Sequence, residues 1–347
     1  MVNRFGLKES ESVRKRPALY VGSTGFWGLI RHLVEAFELM RKAGATWIEF
    51  ELIPPGDFGQ QMECIVCSNG RLRIEKNERG CVSPFEDFDV NPDEDRATFD
   101  LFMHAPVVCG LSASLTVQSQ DGEKITTAKF VCGNCESYSQ SASSEEGDSL
   151  EVRFIPDQTL FEVSSVSIQN LYSYCRRNAA FYPELEYRVK LGDEVRTYKS
   201  SNGLQDLFDS FAHPCQTLHL PIRIREQDED FKVEAIFAMH GWSNNLIQSF
   251  ANKGFVPEGG PHIEGFLEAL QPLYSQPAAA SGVIAVIAIE YIPIGWAGAI
   301  KARLINSELR EKMKCLVERG LEKWIQENPE EREHLKQVER FRCSNNW

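Results

Sequence analysis

The segment Val13–Ser23, VRKRPALYVGS, leads into the most strongly patterned part of the chain, which begins at Gly28. Apolar residues then recur at the spacing of one helix face, at Leu29, Leu33, Phe37 and Met40. Over residues 46–53 the period changes to two, which is typical of a half-buried strand. This part of the chain is therefore predicted to form a helix bounded by Gly28 and Gly44 and, directly after it, a strand.

Length and composition are those of a globular protein with two domains. The chain has 347 residues, of which 42% are hydrophobic and 25% charged, and this is enough for two buried cores. The longest apolar run, residues 282–289, is shorter than the ~20 residues of a membrane helix and rich in β-branched residues, so it is predicted to be a buried strand. The N-terminal residues 1–4 lack the apolar core of a secretory signal, and we expect a cytoplasmic protein.

The net charge of −13 argues against binding to nucleic acid through a basic surface. The basic run Arg14-Lys15-Arg16 is an exception, and its ordinary interpretation is an exposed helix face or an entry into the fold. DNA binding is therefore expected to be weak or absent, and no membrane partner is expected.

The ten cysteines raise the question of a metal site. Two residues separate Cys64 from Cys67, and likewise Cys132 from Cys135, and two such pairs together can bind zinc through four thiolates. Cys64 and Cys67 lie in a predicted strand, however, where positions three apart point to opposite faces. We expect free thiols and no metal, and a zinc site that includes Cys132 and Cys135 stays open as the alternative.

The chain is predicted to divide near Pro156, into residues 1–156, residues 157–329 and a charged tail at 330–347. Residues 75–96 are predicted to be an acidic, irregular connection, and residues 137–147 a Ser/Glu-rich turn or disordered loop. In the second domain the predicted helices are 166–178, 262–274 and 307–327, and the predicted strands are 184–191, 218–225, 231–239 and 282–291. Ser307 is a candidate N-cap, and the helix that follows it carries an apolar face.

Three segments resemble the ATPase and transducer region of the DNA gyrase B and topoisomerase IV B subunits. The segment VRKRPALYVG is similar to the VRKRPxMYxG segment that opens their GHKL-type nucleotide domain. Residues 258–266, EGGPHIEGF, are similar to their EGGTHLxGF segment, and residues 301–308 resemble the helix start of their transducer domain. The resemblance covers nearly the whole chain. It implies an α+β fold, in which a GHKL α/β sandwich precedes a ribosomal-S5-like transducer domain with a left-handed βαβ unit.

The resemblance also implies which residues should act on ATP. The family's first helix carries a glutamate that activates water and, four residues later, an asparagine that helps to hold Mg²⁺. Counted from Gly28, these positions are Glu35 and Leu39. Leucine offers no oxygen to Mg²⁺, which requires hard oxygen ligands, so the metal contact is predicted to be lost.

The family's adenine-binding turn, DxGxG, is also altered. Here it corresponds to Ser68, Asn69 and Gly70, followed by Arg71 and Leu72. A hydroxyl therefore replaces the carboxylate that accepts the hydrogen bond from adenine, and it accepts without the assistance of a charge. The second glycine becomes Leu72, which adds bulk where the backbone would approach the ligand.

The glycine-rich phosphate loop of the family corresponds to residues 99–104, FDLFMH, and no glycine occurs between Cys81 and Cys109. Only glycine permits the tight turns and close approach that bring backbone amides to a phosphate. This segment is predicted to be an apolar helix or strand that fills the empty pocket. Lys301 matches the transducer lysine that reaches toward the terminal phosphate, whereas the companion glutamine position is Ala299. Lys301 is either an ordinary surface residue or a partner of Glu35.

The leading hypothesis is a gyrase-B-like pseudo-ATPase that needs no cofactor and acts through protein contacts, with a type II topoisomerase subunit as its partner. Two alternatives stay open. One is a divergent ATPase that uses ATP, Mg²⁺, Glu35 and Lys301; the other is a ligand- or DNA-binding module on the same scaffold. Only residues 1–11 precede the matched helix and the glycine loop is missing, so we expect a monomer or weak dimer that does not respond to nucleotide.

Overall fold

The computed structural model describes residues 7–55, 61–87, 98–99, 102–144, 146–242, 244–273, 282–298 and 301–344. The chain divides into two units, Met1–Lys199 (unit 1) and Ser200–Trp347 (unit 2). Each unit has its own main sheet and its own apolar core.

Unit 1 is an eight-stranded sheet with helices packed against it. Its described helices are α1 (Glu9–Lys15), α2 (Pro17–Val21), α3 (Phe26–Lys42), α4 (His104–Gly110) and α5 (Ile168–Ala179). Its strands are β1 (Trp47–Ile53), β2 (Glu63–Ser68), β3 (Glu75–Lys76), β4 (Val82–Ser83), β5 (Ser112–Asp121), β6 (Lys124–Val131), β7 (Asn134–Ala142), β8 (Asp148–Pro156), β9 (Glu186–Leu191) and β10 (Glu194–Tyr198). The sheet order is β10-β9-β1-β2-β8-β5-β6-β7, and β3 and β4 form a separate hairpin. The predicted first helix and the strand after it are confirmed as α3 and β1.

The division between the units lies at Lys199, later than the predicted division near Pro156. Strand β9 pairs in parallel with β1, and β10 pairs with β9, so the chain returns to the first sheet after β8. Helix α5 and the strand predicted at 184–191 therefore belong to unit 1. Local sequence patterns do not show this pairing, because its two partners are far apart along the chain.

Two segments predicted to be irregular contain strands. Residues 137–142 belong to β7, although their serine and glutamine content suggested a loop. A strand at the edge of a sheet needs no apolar face to be stable when its backbone pairs with a neighbour, here β6. The acidic connection at 75–96 contains the β3–β4 hairpin, and its remainder from residue 88 lies outside the described residues.

Unit 2 is a five-stranded sheet of order β11-β12-β15-β13-β14. Its strands are β11 (Ile222–Gln227), β12 (Phe231–Met239), β13 (Leu246–Ala251), β14 (Gly254–Phe255) and β15 (Val283–Tyr291). Its helices in the described part are α6 (Leu204–Ala212), α7 (Pro261–Ala269), α8 (Glu308–Glu327) and α9 (Pro329–Ser344), with short 3₁₀ turns at His213–Cys215 and Gln271–Leu273. Strands β13 and β15 are parallel and α7 lies between them in the chain, which makes a βαβ unit.

Helix α8 closes the core of unit 2 as its sequence pattern predicts. Its apolar face is buried, at Leu309, Met313, Leu316, Val317 and Leu321. Ser307 is not the predicted cap, because its backbone is already helical and its side chain caps no amide. The charged residues predicted as a tail are helical as far as Ser344, since Pro329 begins a new helix, where its missing N–H has no partner to lose.

The VRKRP segment joins α1 to the rest of unit 1. Val13 is buried, and Arg14 Nη2 lies 2.6 Å from Asp157 Oδ2 while its Nη1 donates to the Gly110 carbonyl at 2.9 Å. Lys15 and Arg16 are exposed, and Pro17 begins α2. Thus Arg14 anchors this segment to unit 1, whereas Lys15, the last residue of α1, and Arg16, which follows it, are exposed.

Because Arg14 is bonded and Arg16 is exposed, replacing each of them should affect the stability of the protein to different extents. Arg14→Ala removes the guanidinium that pairs with Asp157 Oδ2 and donates to the Gly110 carbonyl, and we expect it to lower the free energy of unfolding by about 2 kcal/mol. Arg16→Ala removes an exposed charge and should change it by less than about 0.5 kcal/mol. Urea unfolding of both variants measures the two values, and equal effects would contradict the role given to Arg14.

Candidate functional site

Helix α3 places Glu35 in the core of unit 1. A Cβ at Gly28 would lie 1.8 Å from the Ser23 carbonyl oxygen, so only glycine lets the preceding loop fold back onto the first turn of α3. Glu35 lies two turns further along, on the face that packs inward, and is only 5% exposed.

Both carboxylate oxygens of Glu35 have partners within unit 1. Arg31 Nε, one helical turn earlier, lies 2.6 Å from Oε1, and His104 Nδ1 at the start of α4 lies 2.5 Å from Oε2. Because a carboxylate only accepts, His104 Nδ1 carries the proton of this hydrogen bond. Burial alone would raise the pKa of Glu35, but the charge of Arg31 and the hydrogen bond from His104 lower it to about 2.

This arrangement makes Glu35 a poor base. A general base needs a pKa near the working pH and a free oxygen within hydrogen-bond reach of the water that it activates. The pKa of Glu35, about 2, lies well below this range, and one acceptor position on each of its oxygens is already occupied, by Arg31 and by His104. At the position of the family's metal-binding asparagine, Leu39 is completely buried in the apolar core.

The turn that corresponds to the adenine site is bonded to its own surroundings. Ser68 at the end of β2 is buried, and its hydroxyl contacts Met40 Sδ at 3.1 Å and accepts from the Gly70 amide at 3.1 Å. Asn69 Oδ1 accepts from the Thr46 amide at 2.9 Å. These bonds tie the turn to the end of α3 and the start of β1. Leu72, at the position of the family's second glycine, is buried.

The segment predicted to replace the phosphate loop is helical where it is described, at residues 98–99 and at Phe102, and α4 begins at His104. Asp100 and Leu101 lie outside the described residues. Phe102 is half-buried against the core of unit 1, and His104 contacts Glu35. The helical alternative is therefore the one observed.

Lys301 lies in unit 2, on a loop that the EGGPH segment holds in place. The Glu258 amide donates to the Ala302 carbonyl and the Leu304 amide to the Gly259 carbonyl, both at 2.9 Å. Lys301 itself is exposed, with a φ of 56°. Its predicted companion Ala299 lies outside the described residues, and the pairing of Lys301 with Glu35 stays a prediction.

The cysteine pairs lie in different surroundings. Cys64 is buried, whereas Cys67 is half-buried with its Sγ 3.8 Å from Glu151 Oε2. Cys132 Sγ contacts Asp157 Oδ2 at 3.9 Å, and Cys135 Sγ contacts the Ser137 carbonyl at 3.4 Å. Within the described ranges no three His, Cys, Asp or Glu side chains are grouped to hold a metal ion. No helix of the same ranges is long and apolar enough to cross a bilayer.

Comparison with curated proteins finds relatives along nearly the whole chain. The B subunit of DNA gyrase from Haloferax volcanii is 26% identical over 373 residues, which cover 93% of this chain and 56% of that protein. Its counterpart from Mycoplasma genitalium is 25% identical, with 94% and 56% covered. No family model matches.

The chain is homologous to the B subunit of DNA gyrase. It spans little more than half the length of these relatives.

The fold agrees with solved gyrase structures. The B subunit of Myxococcus xanthus gyrase superposes with a TM-score of 0.72 at 19% identity, covering 94% of this chain and 98% of that one. The 43K ATPase domain of Thermus thermophilus gyrase B, in complex with an aminocoumarin, gives 0.70 at 20% identity, covering 96% and 94%. The α+β, GHKL-type fold implied by the resemblance is thus confirmed.

A second carboxylate on α3 was not foreseen from the sequence. Glu38 accepts from Arg41 Nη2 at 2.5 Å and from the Tyr174 hydroxyl at 2.9 Å. Burial would raise the pKa of Glu38, but the charge and hydrogen bond of Arg41, together with the Tyr174 hydrogen bond, lower it. The spacings of Arg31 and Glu35, and of Glu38 and Arg41, are those of ion pairs on a helix. These spacings are the sequence feature from which both ion pairs could have been predicted.

Because of Glu35, the free energy of unfolding should decrease as the pH falls below 4.5. A carboxyl pKa lowered from 4.5 to about 2 stabilises the fold above pH 4.5, and this contribution is lost as the pH falls toward 2. Glu35→Gln should therefore lower the free energy of unfolding by roughly 3 kcal/mol at pH 7 and by much less near pH 3. Urea unfolding at both pH values tests this. An equal loss at both would show that the Glu35 charge is not stabilised.

His32, also on α3, is a second buried titratable group. It is completely buried, and its ring stacks on Phe161 with the centroids 5.6 Å apart. Its Nε2 lies 3.3 Å from the Val108 carbonyl, and its Nδ1 has no partner among the described residues. Burial lowers the pKa of His32 from 6.5 to about 4, so the folded protein keeps the ring neutral.

Between pH 6.5 and 4 the unfolded chain therefore binds a proton at His32 that the folded protein does not, and acid destabilises the fold. His32→Leu removes this penalty. We expect the variant to gain about 2 kcal/mol more, relative to the wild type, at pH 5 than at pH 7.5. Phe161→Leu is the control, because it changes the same packing without a titratable group and should act equally at both pH values. A pH-independent effect of His32→Leu would be incompatible with a neutral buried ring.

Proposed function

We propose that this protein is a pseudo-ATPase of the gyrase B type, which keeps the ATPase-domain fold and acts through protein contacts. The observation that carries the proposal is the state of Glu35. Its carboxylate is ionised, buried and bonded on both oxygens by Arg31 and His104. A residue in this state does not accept a proton from water at neutral pH.

Three further features of unit 1 support the same conclusion. Buried Leu39 gives Mg²⁺ no ligand, and without the ion the charge of a transferred phosphoryl group is not neutralised. The hydroxyl of Ser68 is engaged by Met40 and Gly70 and carries no charge to receive the adenine amino group. The glycine-free stretch between Cys81 and Cys109 lacks the backbone freedom of a phosphate loop.

The proposed partner is a protein subunit of a type II topoisomerase, in the cytoplasm. The support for this partner is the homology to DNA gyrase B along 93% of the chain. A domain that shares the surface of an active gyrase B protein and lacks its chemistry would compete for, or stabilise, contacts that the active protein makes. The net charge of −13 disfavours DNA as the direct ligand.

The proposal predicts that nucleotide does not stabilise this protein. A ligand at one hundred times its dissociation constant stabilises a fold by about 2.7 kcal/mol, which moves the melting temperature by several degrees. We expect no measurable shift with millimolar ATP, with or without Mg²⁺. The ATPase region of an active gyrase B, melted in the same buffers, serves as the positive control.

A shift that requires Mg²⁺ would overturn the pseudo-ATPase and favour the divergent ATPase. In that case Glu35→Gln and Lys301→Ala should both abolish hydrolysis while the shift persists. A shift with ATP that does not need Mg²⁺ and comes without hydrolysis would instead indicate the ligand-binding module.

A further inference from the structure

Strand β7 is an unusual edge of the unit 1 sheet. The opposite edge, β10, has five residues and carries a charged pair, with Arg196 Nε 2.6 Å from Glu194 Oε1. By contrast, β7 has nine residues, NCESYSQSA, and its one charged residue is Glu136. Proteins usually protect an edge by making it short, by placing lysine or proline on it, or by covering it. The β7 strand is neither short nor defended by lysine or proline.

The edges of the unit 2 sheet are protected in the usual ways. Strand β11 carries Arg223, Arg225 and Glu226, and β14 has only two residues. Thus β7 is the one long, nearly neutral edge among the four edges of the two main sheets that the structure describes.

At the start of β7 the backbone is already bonded to other parts of the chain, whereas the outer side of the remaining residues is available for pairing. Glu86 Oε1 accepts from the Cys135 amide at 2.9 Å, and the Cys135 thiol contacts the Ser137 carbonyl at 3.4 Å. A register shift between Lys129 and Phe130 of β6 disrupts the pairing at this end. From residue 138 to 142, the backbone bonds only to β6 in the part of the chain that is described. These residues present unpaired amide and carbonyl groups on the outer side, which is a template for another strand.

We propose that β7 pairs, antiparallel, with β7 of a second copy of this chain, about a two-fold axis at Ser139. A two-fold contact requires a surface that is complementary to itself. In this register Ser139 faces Ser139, Ser137 faces Ser141, and Tyr138 faces Gln140. Tyrosine and glutamine already form a hydrogen bond within one chain, between the Tyr138 hydroxyl and Gln140 Nε2. The same pair of groups would meet across the contact, twice.

Charge selects this occupant and this direction. In the proposed register Glu136 lies opposite Ala142, so the two Glu136 side chains are at opposite ends of the contact. A parallel, in-register pair would place them side by side, which is destabilising. Ala142 is also paired within its own sheet to Lys124. Glu136 of one copy is therefore two strand spacings, about 10 Å, from Lys124 of the other, across a small alanine side chain.

The contact is small and its affinity should be low. It joins only seven residues of each copy, 136–142, through backbone bonds and polar side chains. Interfaces of such limited area belong to the weak, transient class. The proposal does not depend on whether the protein binds nucleotide, because β7 contributes no residue to the site around Glu35.

Sedimentation equilibrium over a wide range of protein concentration tests the proposal. We expect a monomer–dimer equilibrium in the wild type. Ser139→Lys would place two lysine side chains directly opposite each other at the axis, with their Cβ atoms about 5 Å apart, and the like charges should weaken the dimer about fivefold. Thr197→Lys is the matched control, because it adds the same charge to an exposed residue of the other edge, β10. A monomer at every concentration, or an equal effect of both variants, would overturn the proposal.

The register is tested separately, in case Ser139→Lys disturbs the strand. Ser139→Cys should form an intermolecular disulfide under mild oxidation, and mass spectrometry should find the peptide that contains residue 139 linked to itself. Thr197→Cys, treated identically, should give no such linked peptide. Failure to find the 139–139 link, or an equal yield at position 197, would rule out pairing of β7 about Ser139.

Discussion

A buried carboxylate must be paired, and this requirement organises the core of unit 1 around Glu35. The charge lies on the inner face of α3, where an unpaired ion would be strongly destabilising. Arg31 meets it from the same helix, and His104 from the start of α4. The pairing therefore joins two helices that are distant in sequence. It also bears on the chemistry, since the contacts that stabilise the charge lower the pKa of Glu35 and so make it a weaker base.

Local patterns were sufficient for the elements with a strong apolar period. Helix α3, strand β1 and the buried face of α8 follow directly from the spacing of their apolar residues. Strand β7 has no apolar period, so its serine-rich sequence suggested a loop. The return of β9 to pair with β1 depends on contacts far apart in the chain, which periodicity does not reveal.

In the candidate site, too, some features could be predicted from the sequence and others could not. The replacement of the metal and adenine residues, at Leu39 and Ser68, was read from the sequence through the resemblance to gyrase B. The spacing of Arg31 and Glu35 is a local signal. The contact of His104 with Glu35 was beyond reach, because it joins residues 69 positions apart and depends on how the segment before α4 folds. That contact gives Glu35 its second partner, beside Arg31.

A ligand shifts a conformational equilibrium only by the difference in its affinity for the two states. In unit 1 the groups that would sense a nucleotide already have internal partners: Glu35 with Arg31 and His104, and Ser68 with Met40 and Gly70. On the pseudo-ATPase proposal, a nucleotide would have to compete with these bonds and would gain no metal or glycine-loop contact in return. The same proposal disfavours control of assembly by nucleotide. On that proposal, association of this chain depends on its surfaces, and the outer side of β7 is the longest described sheet edge with unused backbone hydrogen bonds.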